Sequence, residues 1–206
     1  MNYLRGFVPW IAFAVVSSFG WQWGALAGLV LGLRLIVLAR KSGAAADSLI
    51  LERSTVLFFV VLTAVAFART DSGLQDYTGT LSTGWLAVTA WATLAVKRPF
   101  TLGIARRQVP AEMWHNPVFL RVNVVITTAW ALAFTVTSGV LAAVSAAGLG
   151  HAVSIPVQIA GFAVPAVFTA RYPARARARA TATTATAPAA TTTAATSDTT
   201  ADVEEI

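Results

Sequence analysis

Residues 49–68 read LILERSTVLFFVVLTAVAFA, and this stretch decides the class of fold. Its charged residues are Glu52 and Arg53, near its start, and the rest of the run carries no charge. A helix needs about 20 predominantly apolar residues to cross the hydrocarbon core of a bilayer. The stretch has that length, so it predicts a transmembrane helix.

The composition of the whole chain supports a membrane location. Of the 206 residues, 56% are hydrophobic and 12% are charged, and the mean hydropathy is +0.67. A soluble domain carries about 25% charged residues, because its surface faces water. The net charge of +6 does not indicate a nucleic-acid partner, since the basic residues lie beside apolar runs rather than on a polar domain. The absence of cysteine excludes disulfides and thiolate metal sites.

Six apolar runs follow one another along residues 1–172 and predict an all-α, polytopic bundle of about six transmembrane helices. The first two are separated by Gly20-Trp21-Gln22-Trp23 and predict a tight helical hairpin. The fourth is short, and we expect it to borrow residues from Tyr77–Thr80. The runs are Phe7–Phe19, Gly24–Ala39, Leu49–Ala68, Leu81–Val96, Phe119–Ala147 and Ala152–Ala170.

The distribution of Lys and Arg predicts the orientation of this bundle. With the N-terminus inside and six crossings, 13 of the 15 basic residues fall in cytoplasmic segments, Arg69 falls outside, and Arg34 lies within the second run. An excess of basic residues on the cytoplasmic side is the usual pattern in membrane proteins. The pattern therefore predicts a multi-pass protein with both termini in the cytoplasm. The residues inside are Arg5, Arg40, Lys41, Arg53, Lys97, Arg98, Arg106, Arg107, Arg121, Arg171, Arg175, Arg177 and Arg179.

The chain beyond Tyr172 has a different composition. Residues 173–206 begin with alternating Ala and Arg, continue as Ala and Thr, and end in an acidic segment. They have no apolar periodicity and no aromatic residue, so burial cannot offset the entropy of ordering them. We expect a transmembrane helical domain over residues 1–172 and a disordered, Ala/Thr-rich cytoplasmic tail over residues 173–206.

Glycine recurs at every fourth position from Gly20 through Gly24 and Gly28 to Gly32. On a helix this spacing places small residues on one face, where another backbone can approach closely. The four glycines therefore predict a helix-packing face. We favour packing against another helix of the same chain, and the alternative is contact between copies in a homo-oligomer.

Arg34 lies inside the second apolar run, where a charge often marks a transport path. It precedes Arg40 by six residues, or about 9 Å of helix rise. Its side chain is therefore within snorkelling reach of the headgroups, and we favour that structural role. No other run has a carboxylate near its centre to act as a proton relay, which argues against an ion-coupled transporter.

No residue pattern indicates catalysis. His115 and His151 fall in loops predicted on opposite sides of the membrane, so they cannot share a metal. No serine stands in a G-x-S-x-G motif with a carboxylate–histidine pair to activate it. We predict a non-enzymatic protein without catalytic residues, metal site or cofactor, whose partner is the lipid bilayer and not nucleic acid.

The connection between the fourth and fifth runs, residues 97–117, is the strongest candidate for a functional segment. Pro99 and Pro110 each suit the first turn of a short helix. Basic residues alternate with apolar and aromatic ones, which is typical of an amphipathic segment lying flat in the membrane interface. Two interpretations remain: a platform for a partner protein or anionic lipid, or a re-entrant connector that sets the spacing of two helices. The predicted partner- or lipid-binding residues are Arg106, Arg107, Pro110, Glu112 and Trp114.

Short motifs in this connection and elsewhere along about residues 4–172 carry a resemblance to a known family. They are Phe7-Val-Pro9, Arg40-Lys41, Lys97-x-Pro99, Pro110-x-Glu112-x-Trp114 and Asn123. Their order is more specific than any one of them, and it resembles the bacterial inner-membrane septation protein A family. Trp114 and Asn123 are further apart than in the family pattern, with His115-Asn116-Pro117 between them, so the resemblance is to a diverged, actinobacterial-type relative.

The resemblance implies a non-enzymatic protein of the bacterial cytoplasmic (inner) membrane. It implies a scaffold or interaction role in cell-envelope maintenance, septation and cell division, through contacts with cell-division or cell-wall synthesis membrane proteins. The alternative function is a small membrane transporter or channel. Its path would be lined by hydroxyl-bearing residues of the fifth run and prolines of the sixth, namely Thr127, Thr128, Thr135, Thr137, Ser138, Pro156 and Pro165. Threonine and proline are also ordinary components of helix packing in membranes.

Overall fold

The computed structural model of the protein describes residues 6–43 and 49–186. Every regular element in these residues is a helix, as the sequence predicts. The α-helices are α1 (Val8–Val16), α2 (Trp21–Lys41), α3 (Ile50–Ala68), α4 (Thr78–Ala95), α5 (Phe100–Arg106), α6 (Pro117–Ala146) and α7 (His151–Thr186). Short 3-10 helices cover Ser17–Phe19, Gly73–Tyr77 and Ala111–Met113.

Four of the described helices are long enough and apolar enough to span a membrane: α2, α3, α6 and the part of α7 over His151–Ala174. The predicted count of six crossings is not confirmed by length and composition. α1 has 9 residues before its 3-10 extension, where about 20 are needed. α4 has 18 residues and begins at Thr78, as expected, but its Thr, Ser and Gly residues lower its hydropathy.

Gly20 allows the chain to reverse between α1 and α2. Its φ is +134°, which glycine adopts without strain and other residues do not. α2 begins directly after it at Trp21, so the turn is shorter than the predicted four residues. Ser17 Oγ donates a hydrogen bond to Phe13 O (2.6 Å), and Gly24 of α2 lies against Ser17. α1 and α2 therefore form the predicted tight hairpin.

An aromatic cluster lies at the centre of the bundle and joins helices that are distant in sequence. Between ring centroids, Trp10 of α1 lies 4.9 Å from Phe59 of α3. Phe7, at the start of α1, lies 5.2 Å from Trp130 of α6 and 5.3 Å from Phe162 of α7. Such ring pairs contribute about 0.5–1.5 kcal/mol beyond their buried area. The short helix α1 thus contacts three of the long ones.

α4 packs against α6 through small and hydroxyl-bearing residues. Ser138 Oγ of α6 donates to Thr80 O (3.0 Å), and a Cβ on Gly84 would lie 3.1 Å from Ser138 Oγ. Ser82, Thr83 and Thr89 are also buried, and Thr89 Oγ1 shares a hydrogen bond with Ser54 Oγ of α3 (2.6 Å). Small residues let helix backbones approach closely in a membrane. The polar residues that lower the hydropathy of α4 therefore lie largely inside the bundle.

The chain divides into two compact units, Met1–Pro173 and Ala174–Ile206. Within the second unit α7 continues as a helix to Thr186, where the sequence predicts disorder. The physical reason lies in local propensity, because Ala and Arg are among the strongest helix formers and alternate from Ala174 to Ala180. The remainder of the predicted tail, residues 187–206, lies outside the described residues.

Candidate functional site

α5 is buried in the bundle instead of lying flat on its surface. Thr101 Oγ1 donates a hydrogen bond to Asn123 O of α6 (3.0 Å) and shares a second one with Thr127 Oγ1 (2.7 Å). The predicted flat amphipathic segment is therefore not confirmed, and α5 connects α4 to α6 from inside the bundle. Its buried residues are Phe100, Thr101, Leu102, Ile104 and Ala105.

Arg106 and Trp114 hold the two ends of the following loop together. The guanidinium carbon of Arg106 lies 5.4 Å from the ring centroid of Trp114, which is a cation–π contact. Arg106 Nε and Trp114 Nε1 are both buried, and neither has a hydrogen-bond partner within the described residues. The two predicted site residues thus contact each other, and both side chains are half-buried rather than displayed at the surface.

Arg107 joins the loop to the start of α3. Its guanidinium lies 3.6 Å from Glu52 Oε1, with side-chain exposures of 36% for Arg107 and 12% for Glu52. The sequence assigns Glu52 only to the first turn of a helix. Glu52 and Arg107 are 55 residues apart in the chain, so the residue pattern of a single helix does not predict their contact.

The outer side of this loop is exposed. Pro110 precedes the 3-10 turn Ala111–Met113, and Pro110 and Glu112 are both exposed. Met113 is 43% exposed, although sequence reasoning did not select it as a site residue. We call the exposed residues Arg107, Pro110, Glu112 and Met113 the connection surface.

 The five predicted residues lie between the end of α5 and Trp114 and form two layers. Arg107, Pro110 and Glu112 form the exposed layer, and Arg106 and Trp114 form the half-buried layer beneath it.

The glycine face of α2 packs inside the chain. A Cβ on Gly28 would lie 2.5–2.7 Å from the ring of Phe59, and one on Gly32 would lie 3.0 Å from Val56 Cγ2, both on α3. Gly24 lies against Ser17 and Phe13, and Gly20 forms the turn before the helix. The predicted packing face is thus used within one chain, and the homo-oligomer interpretation of these glycines has no free surface to act through.

The two ends of the bundle differ in their content of basic residues. At one end, the Arg107–Glu52 pair joins α5 to the start of α3, and the Thr101–Asn123 hydrogen bond joins α5 to the start of α6. At the other end, Trp21 Nε1 donates to Thr70 O (2.9 Å), next to Arg69 and Asp71. The connection surface therefore lies at the end of the bundle where the basic residues are concentrated.

Within residues 6–43 and 49–186, no group of three or more His, Asp or Glu side chains is arranged to hold a metal ion. The arrangement instead offers an exposed loop fixed from beneath by a cation–π contact and an ion pair. Its chemistry is that of a binding surface, with charged, apolar and proline residues side by side.

Fold and site together define a helical-bundle membrane protein with an exposed loop surface, supported by a cation–π contact and an ion pair, at its basic end. No family model, no curated protein and no solved structure matches the chain.

Proposed function

We propose that this protein is a scaffold or interaction protein of a bacterial cytoplasmic membrane that acts in cell-envelope maintenance or septation. The observation that carries the proposal is the connection surface, which is exposed on its outer side and held in place from beneath. A loop presented in this way suits contact with another protein, because little conformational freedom is lost on binding.

The proposed topology has six crossings, with both termini and the connection surface in the cytoplasm. α4 has 18 residues, or about 27 Å of helix, which approaches the thickness of the hydrocarbon core. α1 with its 3-10 extension supplies the remaining, shorter crossing. The positive-inside distribution of Lys and Arg supports this orientation, since Arg69 is the basic residue of the outer loops.

The resemblance to the septation protein A family supports the envelope role. Of the residues that carry it, Pro110, Glu112 and Trp114 belong to the loop that forms the candidate site. Asn123 is 3% exposed, and its side-chain Nδ2 donates to Phe119 O (2.9 Å). The backbone carbonyl of Asn123 accepts a hydrogen bond from Thr101 Oγ1. Among these residues, Pro110 and Glu112 belong to the connection surface, while Trp114 supports the loop through Arg106 and Asn123 holds α5 through Thr101.

A small transporter or channel is the second candidate function. It is favoured by the Thr80 and Ser82 hydroxyls of α4, which are buried and lack a hydrogen-bond partner within the described residues. Buried hydroxyls of this kind can receive water or a polar solute. Flux into reconstituted vesicles that is abolished by Ser82→Ala would favour transport over the interaction role.

Photocrosslinking from the connection surface tests the proposed function. A benzophenone amino acid at Met113, which is 43% exposed, is expected to capture a membrane protein of cell division or wall synthesis in living cells. The matched position is Leu149, which is 54% exposed in the turn between α6 and α7 at the opposite end. Capture of lipid alone from position 113, or of the same proteins from both positions, contradicts the proposal.

A further inference from the structure

Arg34 is an exposed charge on the apolar surface of a helix that can span the membrane. Val30, Leu33 and Val37 are 47–55% exposed and lie beside it on α2. With 3.6 residues per turn, these positions are on the side of α2 opposite Gly28, which packs against α3. The guanidinium therefore faces whatever surrounds the bundle, and for a membrane-spanning α2 that is lipid.

Within the part of the chain that the structure describes, Arg34 has no hydrogen-bond or ion-pair partner. Glu52, the buried carboxylate of the neighbouring helix, is paired with Arg107 instead. A charge surrounded by hydrocarbon is unfavourable unless it reaches water or meets a counter-charge. The environment of Arg34 must supply that counter-charge.

Snorkelling carries the Arg34 guanidinium toward the headgroups at the end of α2, where an anionic phosphate can meet it. Arg34 lies seven residues before Lys41, the last residue of the helix, or about 10 Å of rise. In an α-helix the Cα–Cβ bond leans toward the N-terminus, so this side chain starts out toward the bilayer centre and away from the nearer headgroups. An anionic headgroup drawn toward Arg34 shortens the distance between the guanidinium and its counter-charge. Lys41 is exposed two turns further along the same face.

We propose that the face of α2 formed by Val30, Leu33, Arg34, Val37 and Lys41 binds one anionic phospholipid. Its phosphate lies between Arg34 and Lys41, and an acyl chain lies along the three apolar side chains. Arginine suits this role because its planar guanidinium donates two parallel hydrogen bonds to phosphate oxygens. The site is separate from the connection surface, and the proposal rests on the proposed function only in requiring that α2 spans the membrane.

Native mass spectrometry of the full-length protein tests this site. The protein is released from micelles that contain equal amounts of phosphatidylglycerol and phosphatidylcholine, and the ratio of the two lipids retained is measured. The wild-type chain is expected to retain one phosphatidylglycerol in preference. Arg34→Gln is expected to lower the ratio about fivefold, the effect of one basic residue near an anionic membrane surface. Arg34→Lys is expected to keep most of the preference.

Arg69→Gln is the matched control, because it removes the same charge from an exposed position at the other end of the bundle. It is expected to leave the lipid ratio unchanged. An unchanged ratio in Arg34→Gln, or an equal loss in Arg69→Gln, overturns the proposal. A wild-type dimer that Arg34→Gln dissociates also overturns it, since a second chain would then cover Arg34. Carbonate extraction of the same variants from membranes reports insertion separately from lipid binding.

Discussion

Replacing Phe59 by alanine is expected to destabilise the protein by about 3–5 kcal/mol, the usual cost of removing a buried aromatic side chain. Phe59 is fully buried, and its ring centroid lies 4.9–5.6 Å from those of Trp10, Phe13 and Phe58. The ring also fills the space opposite Gly28. In a bilayer, helix association rests on this kind of packing, so the cavity would loosen α1, α2 and α3 together.

The measurement is loss of helical circular dichroism as the denaturing fraction of dodecyl sulfate rises in mixed micelles. Phe67→Ala is the matched control, because Phe67 lies on the same helix but is 47% exposed. It contacts one ring, that of Trp23, at 5.6 Å, and its loss is expected to cost under about 1 kcal/mol, as for most exposed positions. Equal destabilisation by the two changes would contradict the assignment of the inner and outer faces of α3.

Trp114→Ala is expected to lower the yield of partner crosslinked to position 113 about thirtyfold, while the protein remains in the membrane. Trp114 holds Arg106 through the cation–π contact at 5.4 Å, and this contact fixes the loop that carries the connection surface. Without this support, side chains of the loop must be ordered on binding at about 0.5–1.5 kcal/mol each, so two of them cost about 2 kcal/mol, which corresponds to that factor. Crosslinking yield relative to the inserted protein is the measured quantity.

Trp23→Ala serves as the control for this change. Trp23 is 51% exposed near the start of α2, at the opposite end of the bundle from the loop. We expect this variant to be crosslinked like the wild-type protein. If Trp114→Ala retained full capture of the partner, Trp114 would have no part in presenting the connection surface. If both variants lost capture of the partner, the effect would be one of general stability.

The sequence predicts the long helices well, because the length of an apolar run is a local property. α3 is predicted at Leu49–Ala68 and found at Ile50–Ala68. The crossing number is harder, since α4 carries hydroxyl groups whose burial inside the bundle is a tertiary property. The sequence predicts disorder beyond Pro173, whereas α7 extends to Thr186, because Ala and Arg have a high helix propensity that does not depend on burial.

The role of the five site residues stays a prediction. Proline and basic residues mark the connection in the sequence, and the structure places the five residues from the end of α5 to Trp114, in an exposed and a half-buried layer. The support beneath the loop was not predicted, since the Arg107–Glu52 pair and the Thr101–Asn123 hydrogen bond join separate helices. For the same reason the glycine spacing predicts a packing face, while its partner, Phe59 of α3, is visible only in three dimensions.

Cysteine accessibility tests the central claim, a bundle embedded in the membrane with its connection surface in the cytoplasm. The chain contains no cysteine, so Met113→Cys and Leu149→Cys each introduce a single exposed thiol, one at each end of the bundle. A membrane-impermeant maleimide is added to spheroplasts before and after lysis. Leu149→Cys is expected to be labelled in intact spheroplasts, and Met113→Cys is expected to be labelled only after lysis. Labelling of Met113→Cys in intact spheroplasts, or recovery of the protein in the soluble fraction, would contradict it.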